Sequence, residues 1–327
     1  MGKKKKIFLE NGLLVYISYS ENAAGVKKVQ KYFAFIVRIC IGIVFLFSYG
    51  LYNGLTADGP ETIPQRIVSL APHITEIIFK LGAGNRLVGR TDFCRYPPAA
   101  QKVPSLGGYL NVDFEKLVAT KPDLVFQFPN AENRRKIEAF GITVEEIPNE
   151  TIEEILDGIS KVGRVLGLES KAEKVRQNIL DTLSMVAEIS KNFFYRPSAL
   201  LLVGRVQGSL NGLYAAGTNT YLGEIWKKCG GRNAFSDVSM RYFSVNKEYL
   251  LSRQIDVIVE FRSEKNWDRD TLLREKTLWQ QMPWINAVKY QNIFIFTDSF
   301  FLIPGPRISQ IAVEFSQIIQ NVTQKNH

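Results

Sequence analysis

Few residues of this chain are arranged for bond-making chemistry. The two histidines are His73 and the terminal His327. A metal site needs several convergent N, S or O ligands, so His73 alone reads as a residue in the first turn of a helix. There is no G-x-S-x-G nucleophile elbow, no phosphate-loop lysine and no paired-histidine motif. Gly82-Ala83-Gly84 followed by Gly89 has the wrong spacing for a nucleotide loop and sits after a helix, where a C-cap is the simpler reading. Beyond the N-terminal segment the cysteines are Cys94 and Cys229, without CxxC spacing. They read as two separate core thiols, with one disulfide as the alternative.

The residues that stand out are suited to binding. Glu115 and Glu248 each fall in the first turn of a helix, shortly after a capping Asn or Ser, where the helix dipole favours an anion. Capping is one reading of them. The other is a pair of lobe-equivalent carboxylates that dock onto arginines of a pseudo-symmetric partner. Aromatic residues gather in the segments after strands: Phe93, Tyr96, Tyr109 and Phe128 in one half, Tyr242, Phe243, Trp267, Phe300 and Phe301 in the other. Ligands of open α/β sheets bind beyond the C-terminal ends of strands. Flat aromatic faces there suit a large, planar, mostly apolar ligand, oriented by a few polar groups; Asp298, Arg307, Arg205 and Arg262 are the candidates.

Two echoes indicate how these residues are positioned. Asn111-Val112-Asp113-Phe114-Glu115-Lys116-Leu117, running on to Pro122-Asp123-Leu124-Val125, returns at an offset of 133 as Ser244-Val245-Asn246-Lys247-Glu248-Tyr249-Leu250 and Ile255-Asp256-Val257-Ile258. Glu76-Ile77-x-x-Lys80-x-Gly82 returns at an offset of 148 as Glu224-Ile225-x-x-Lys228-x-Gly230. Each copy predicts a helix stopped by Gly, a second helix opened by a polar cap, then a buried strand. Strands and helices alternate through both halves, which predicts an α/β fold of two Rossmann-like lobes with parallel sheets. Ala172, Val175, Ile179, Leu183, Val186 and Ile189 recur every three or four residues in a stretch free of Gly and Pro, predicting one long helix between the lobes. The expected divisions are 58–167 for the first lobe, 168–192 for the linking helix and 193–327 for the second lobe.

The chain has 327 residues, 46% apolar and 22% charged, an ordinary globular composition. Of the net charge of +9, residues 1–57 carry +6, so a nucleic-acid-binding body is not indicated. Those residues read as a basic tail and a membrane-targeting segment. Lys27, Lys28 and Lys31 precede an apolar run over 32–52 that only Arg38 interrupts. Its uncharged part, Ile39 to Tyr52, falls short of the roughly 20 residues of a full span and is nearer a signal-peptide core. Export is expected, with cleavage or retention as a membrane anchor both open.

Several segments resemble a known family: Arg66-Ile67-Val68-Ser69-Leu70-Ala71-Pro72-His73-Ile74-Thr75-Glu76, Thr91-Asp92-Phe93-Cys94-Arg95-Tyr96-Pro97, Lys121-Pro122-Asp123-Leu124-Val125, Cys229-Gly230-Gly231-Arg232-Asn233-Ala234-Phe235 and Gly305-Pro306-Arg307-Ile308. Together they resemble the helical-backbone (class III) substrate-binding proteins of ABC importers, most closely the cobalamin-binding branch. The resemblance implies two lobes joined by one helix, a ligand cleft between them and small hinge motion. It implies no enzymatic activity, no resident cofactor or metal, and a monomer. It places Phe93, Tyr109, Phe128, Tyr242, Asp298 and Arg307 at the ligand, and Glu115 and Glu248 at the permease dimer. Several aromatic positions are Phe or Tyr where that family has tryptophan. The ligand therefore stays open between a corrinoid, a ferric siderophore and haem, and the arginines would suit an anionic siderophore. An α/β enzyme using the same cleft and a tethered sensor are the alternatives from other classes.

Overall fold

The computed structural model describes residues 3–8, 14–19, 62–263 and 267–325. The chain divides into two units, Met1–Thr62 and Ile63–His327. In the first, β1 (Lys3–Phe8) and β2 (Leu14–Tyr19) pair antiparallel, with Lys3 opposite Tyr19. The apolar run over 32–52 lies outside the described residues. Among the described residues no helix is long and apolar enough to cross a membrane.

The second unit opens with a four-stranded, all-parallel sheet. Its strands are β3 (Ile67–Ser69), β4 (Leu87–Arg90), β5 (Leu124–Gln127) and β6 (Thr143–Glu146), in the order β4–β3–β5–β6. Helices α1 (Pro72–Lys80), α2 (Phe114–Ala119) and α3 (Ala131–Glu138) connect successive strands, and α4 (Ile152–Val165) follows β6. The first strand, β3, has β4 on one side and β5 on the other, which makes it a switch point where a crevice opens beyond the strand ends.

The second sheet, expected to be parallel like the first, is mixed. Its strands are β7 (Ser198–Gly204), β8 (Leu213–Ala216), β9 (Arg232–Asn233), β10 (Tyr242–Val245), β11 (Val257–Phe261) and β12 (Ile293–Phe296). The order is β10–β8–β7–β11–β12, with β9 joining the start of β7. β7, β11 and β12 run parallel, whereas β8 and β10 are antiparallel additions. Helices α6 (Tyr221–Lys228), α7 (Lys247–Leu251), α8 (Arg269–Thr277), α9 (Asn286–Lys289) and α10 (Ile308–Lys325) complete the lobe.

Between the lobes runs α5, Glu169–Ser190, whose 22 residues span roughly 33 Å at the α-helical rise. It buries Ala172, Val175, Ile179, Leu183 and Val186 as the spacing predicts. That stripe packs on α4 of the first lobe and on α6 and α10 of the second. One apolar core therefore runs from Ile74 and Ile155 through Leu183 to Ile225 and Phe315.

Both echoes correspond to matched backbone chemistry. Asp113 caps α2 by accepting from Lys116 N at 3.0 Å, and Asn246 caps α7 by accepting from Tyr249 N at 2.8 Å. Asp123 Oδ2 accepts from Gln65 N at 2.8 Å, and Asp256 Oδ2 from Ser198 N at 2.9 Å. Every member of one set stands at the offset of 133 from its counterpart. At the offset of 148, α1 and α6 end alike. Gly82 (φ +84°) and Gly230 (φ +96°) turn left-handed, and Ala83 N and Gly231 N each donate back to a helix carbonyl, Ile78 O and Trp226 O, at 3.0 Å.

Candidate ligand-binding cleft

The strand ends of both lobes face a cleft of about 710 Å³, within the usual range for small-molecule sites. Leu70 follows β3, Thr91 follows β4 and Phe128 follows β5; across the cleft stand Val203 at the end of β7, Ser263 after β11 and Ser299 after β12. Among the described residues, six Phe and Tyr side chains line it, beside aliphatic residues such as Leu70, Val203 and Leu302. Tyr109 and Phe128 pack with ring centroids 4.8 Å apart, and Tyr242 stacks on Tyr214 at 6.3 Å. Phe93 is 59% exposed at the first-lobe wall, an apolar face open to solvent in a position to be covered by a ligand.

Of the six residues assigned to the ligand by resemblance, Phe93, Tyr109, Phe128 and Tyr242 line this cleft. Asp298 and Arg307 are not among its lining residues. Asp298 Oδ1 accepts from Phe300 N at 3.0 Å and caps the short 3-10 turn Ser299–Leu302. Arg307 makes a two-pronged pair with Glu76 across the lobes, at 2.9 and 2.6 Å, beneath the Tyr96 ring at 4.0 Å and beside Phe300 at 5.1 Å. Arg205 is enclosed with Glu260 and Glu275 at 2.8 and 2.6 Å, and Arg262 donates to Arg205 O at 3.0 Å. These three arginines tie the scaffold together. Phe243 and Phe301 are buried in the core, and Trp267 lies under the Arg262 guanidinium at 4.8 Å.

Glu115 and Glu248 occupy the second position of α2 and α7 respectively, one after each capped start. The caps are Asp113 and Asn246, two positions before each glutamate. Both glutamates are exposed, and neither forms an ion pair among the described residues.

The cleft also takes in residues that the resemblance does not assign to the ligand. His73 is buried, with Nδ1 3.1 Å from Asn149 Nδ2 and Nε2 3.4 Å from Ile147 O. An amide NH₂ only donates, so Nδ1 accepts and Nε2 carries the proton. Burial lowers this imidazole to about 4, against the smaller opposing effect of the bond to Ile147. It is neutral at ordinary pH, and both its nitrogens are engaged. Tyr221, the first residue of α6, donates from its hydroxyl to Phe301 O at 2.7 Å. Glu150 precedes the Thr151/Glu154 capping box of α4; that box is a legible signal for a helix start, and the residue before it turns out to face the cleft. Cys94 and Cys229 are both buried and free. Among the described residues no cluster of three or more His, Cys, Asp or Glu could hold a metal ion. The cleft can enclose and orient a large apolar ligand.

Comparison with known proteins agrees with this geometry. A vitamin B12-binding protein of Vibrio parahaemolyticus is 24% identical over 299 residues, covering 88% of this chain and 98% of its own length. The crystal structure of periplasmic vitamin B12 binding protein BtuF of Vibrio cholerae superposes with a TM-score of 0.67 at 21% identity, over 80% of this chain and 98% of that one. The periplasmic heme-binding protein RhuT from Roseiflexus sp. RS-1 gives 0.65 at 22% identity, over 78% and 98%. At such identities the solved structures establish the two-lobed fold, and their ligands differ. A family model described as periplasmic binding protein matches residues 67–299, and the chain belongs to that family, whose members are substrate-binding proteins and not enzymes.

Proposed function

We propose that this protein is exported and serves an ABC importer, capturing a cobalamin-like corrinoid between its lobes and delivering it to the permease. The observation that carries the reading is the aromatic cleft of about 710 Å³ at the ends of two sheets. Phe93, Tyr109, Phe128 and Tyr242 supply flat apolar surface to a macrocycle, and the bulk of the affinity comes from their burial. The names of the relatives favour a corrinoid. A ferric siderophore or haem is the second reading, favoured by the heme-binding neighbour of the same fold.

Glu115 and Glu248 are the proposed permease contacts. Two exposed carboxylates on equivalent helices of two similar lobes suit a pair of arginines on a two-fold partner. The test is uptake of cyanocobalamin by vesicles containing the cognate permease, supplied with wild-type or Glu115→Ala/Glu248→Ala protein. The expected result is unchanged ligand binding with uptake reduced about ten-fold or more, equivalent to ~1.4 kcal/mol or more of lost docking energy. Weakened ligand binding with uptake per bound ligand preserved would contradict the docking role. Absence of uptake with the wild-type protein would contradict the delivery role.

A further inference from the structure

Among the described residues lining the cleft, Glu150 is the one carboxylate and Arg95 the one formal cation. Arg95 is exposed at the first-lobe side, where its Nε donates to Asp92 O at 3.2 Å. Glu150 lies deeper, at the seam of the lobes. Its N–H donates to Glu154 Oε2 at 2.6 Å, and its carbonyl accepts from Tyr221 N at 2.7 Å, so its backbone is pinned to both lobes. Its Oε2 is buried with no hydrogen-bond partner.

The surroundings leave that oxygen unfilled. The Tyr221 hydroxyl is already committed to Phe301 O. Arg241 sits 3.7 Å from the neighbouring carboxylate of Glu154. The Tyr242 hydroxyl is pushed up chiefly by burial, then by the charge of Glu150 and by hydrogen bonding towards it, so the carboxylate's field reaches into the aromatic wall. Oε2 itself keeps no donor. A buried acceptor without a donor is an incomplete site. What completes it is a donor brought by the ligand, and what it repels is a second carboxylate in a poorly screened cleft.

We propose that Glu150 selects ligands whose periphery carries N–H donors, carboxamide or ammonium, and disfavours those whose periphery carries carboxylates. This rests on the reading of the cleft as a metal-chelate site and narrows the chelate by chemical class. A corrinoid with carboxamide arms and a hydroxamate chelate with an ammonium tail both qualify. A porphyrin with propionates does not.

The test is calorimetric titration of the full-length protein with cyanocobalamin, ferrioxamine B and hemin, repeated with Glu150→Ala and Glu150→Gln. Wild type is expected to bind at least one of the two donor-bearing chelates about ten-fold or more tightly than hemin. Glu150→Ala should weaken that chelate about ten-fold. Glu150→Gln keeps size and an acceptor oxygen but removes the charge. It should weaken the chelate less and narrow the preference over hemin. Binding of ferrioxamine B without cyanocobalamin would remove the corrinoid from the proposed function and leave the role of Glu150 standing. Cyanocobalamin binding unchanged by both substitutions would do the reverse. Hemin bound more tightly than either donor-bearing chelate, or neither of these bound, overturns the role of Glu150.

Discussion

Single residues in this protein are decided by what lies across the fold from them. Arg307 is a cation close to a cleft, and its sequence context marks it for a ligand. Its counter-ion, Glu76, lies 231 residues away, and only the folded chain brings the two within 2.9 Å. His73 shows the converse. It is a cleft residue whose nitrogens are spent on Asn149 and Ile147 O, and its burial has a consequence for stability. The unfolded chain takes up a proton on this imidazole near 6.5, whereas the folded chain does so only near 4. Stability therefore falls as pH drops through that interval, by roughly 3 kcal/mol from this group, and no further below it. Unfolding midpoints in urea between pH 7 and pH 4 should fall more steeply for wild type than for His73→Gln. Parallel pH profiles would contradict the burial of a neutral imidazole.

Elements are where the chain is most legible. A cap, a glycine stop and an aspartate before a buried strand are local signals, and the two echoes repeat all three at fixed offsets. The matched hydrogen bonds follow because equal spacing rebuilds equal geometry. Burial still separates the copies. Asp256 is 5% exposed and also accepts from Asn286 Nδ2 and Gln254 Nε2, each at 3.2 Å, whereas Asp123 is exposed. Asp256→Ala should therefore cost about 2–3 kcal/mol in denaturant unfolding and Asp123→Ala under about 1 kcal/mol. Equal costs would show that the shared hydrogen bond, and not burial, sets the energetics. The two antiparallel strands, β8 and β10, lack strong signals. Leu213-Tyr214-Ala215-Ala216 has no β-branched residue, and Tyr242-Phe243-Ser244-Val245 abuts a helix cap that dominates the local pattern. Their antiparallel pairing is what brings Tyr242 to the cleft.

At the scale of the molecule, the long helix and the continuous core decide how the cleft behaves. The apolar stripe of α5 is readable from spacing alone. What it packs against is not, because α4, α6 and α10 come from separate parts of the sequence. Wide opening of the lobes would tear the core around Leu183 and part Arg307 from Glu76, so the cleft is largely preformed and ligand capture needs little reorganisation. The aromatic walls can be anticipated one residue at a time. Glu150 and Tyr221, which meet only at the lobe seam, cannot. The most direct measurement is the heat of binding of cyanocobalamin to the full-length protein. A preformed corrinoid cleft predicts saturable one-to-one binding with a Kd of about 1 μM or tighter, abolished by filling the cleft from its second-lobe side with Val203→Trp. No saturable binding, or binding indifferent to that substitution, would contradict it.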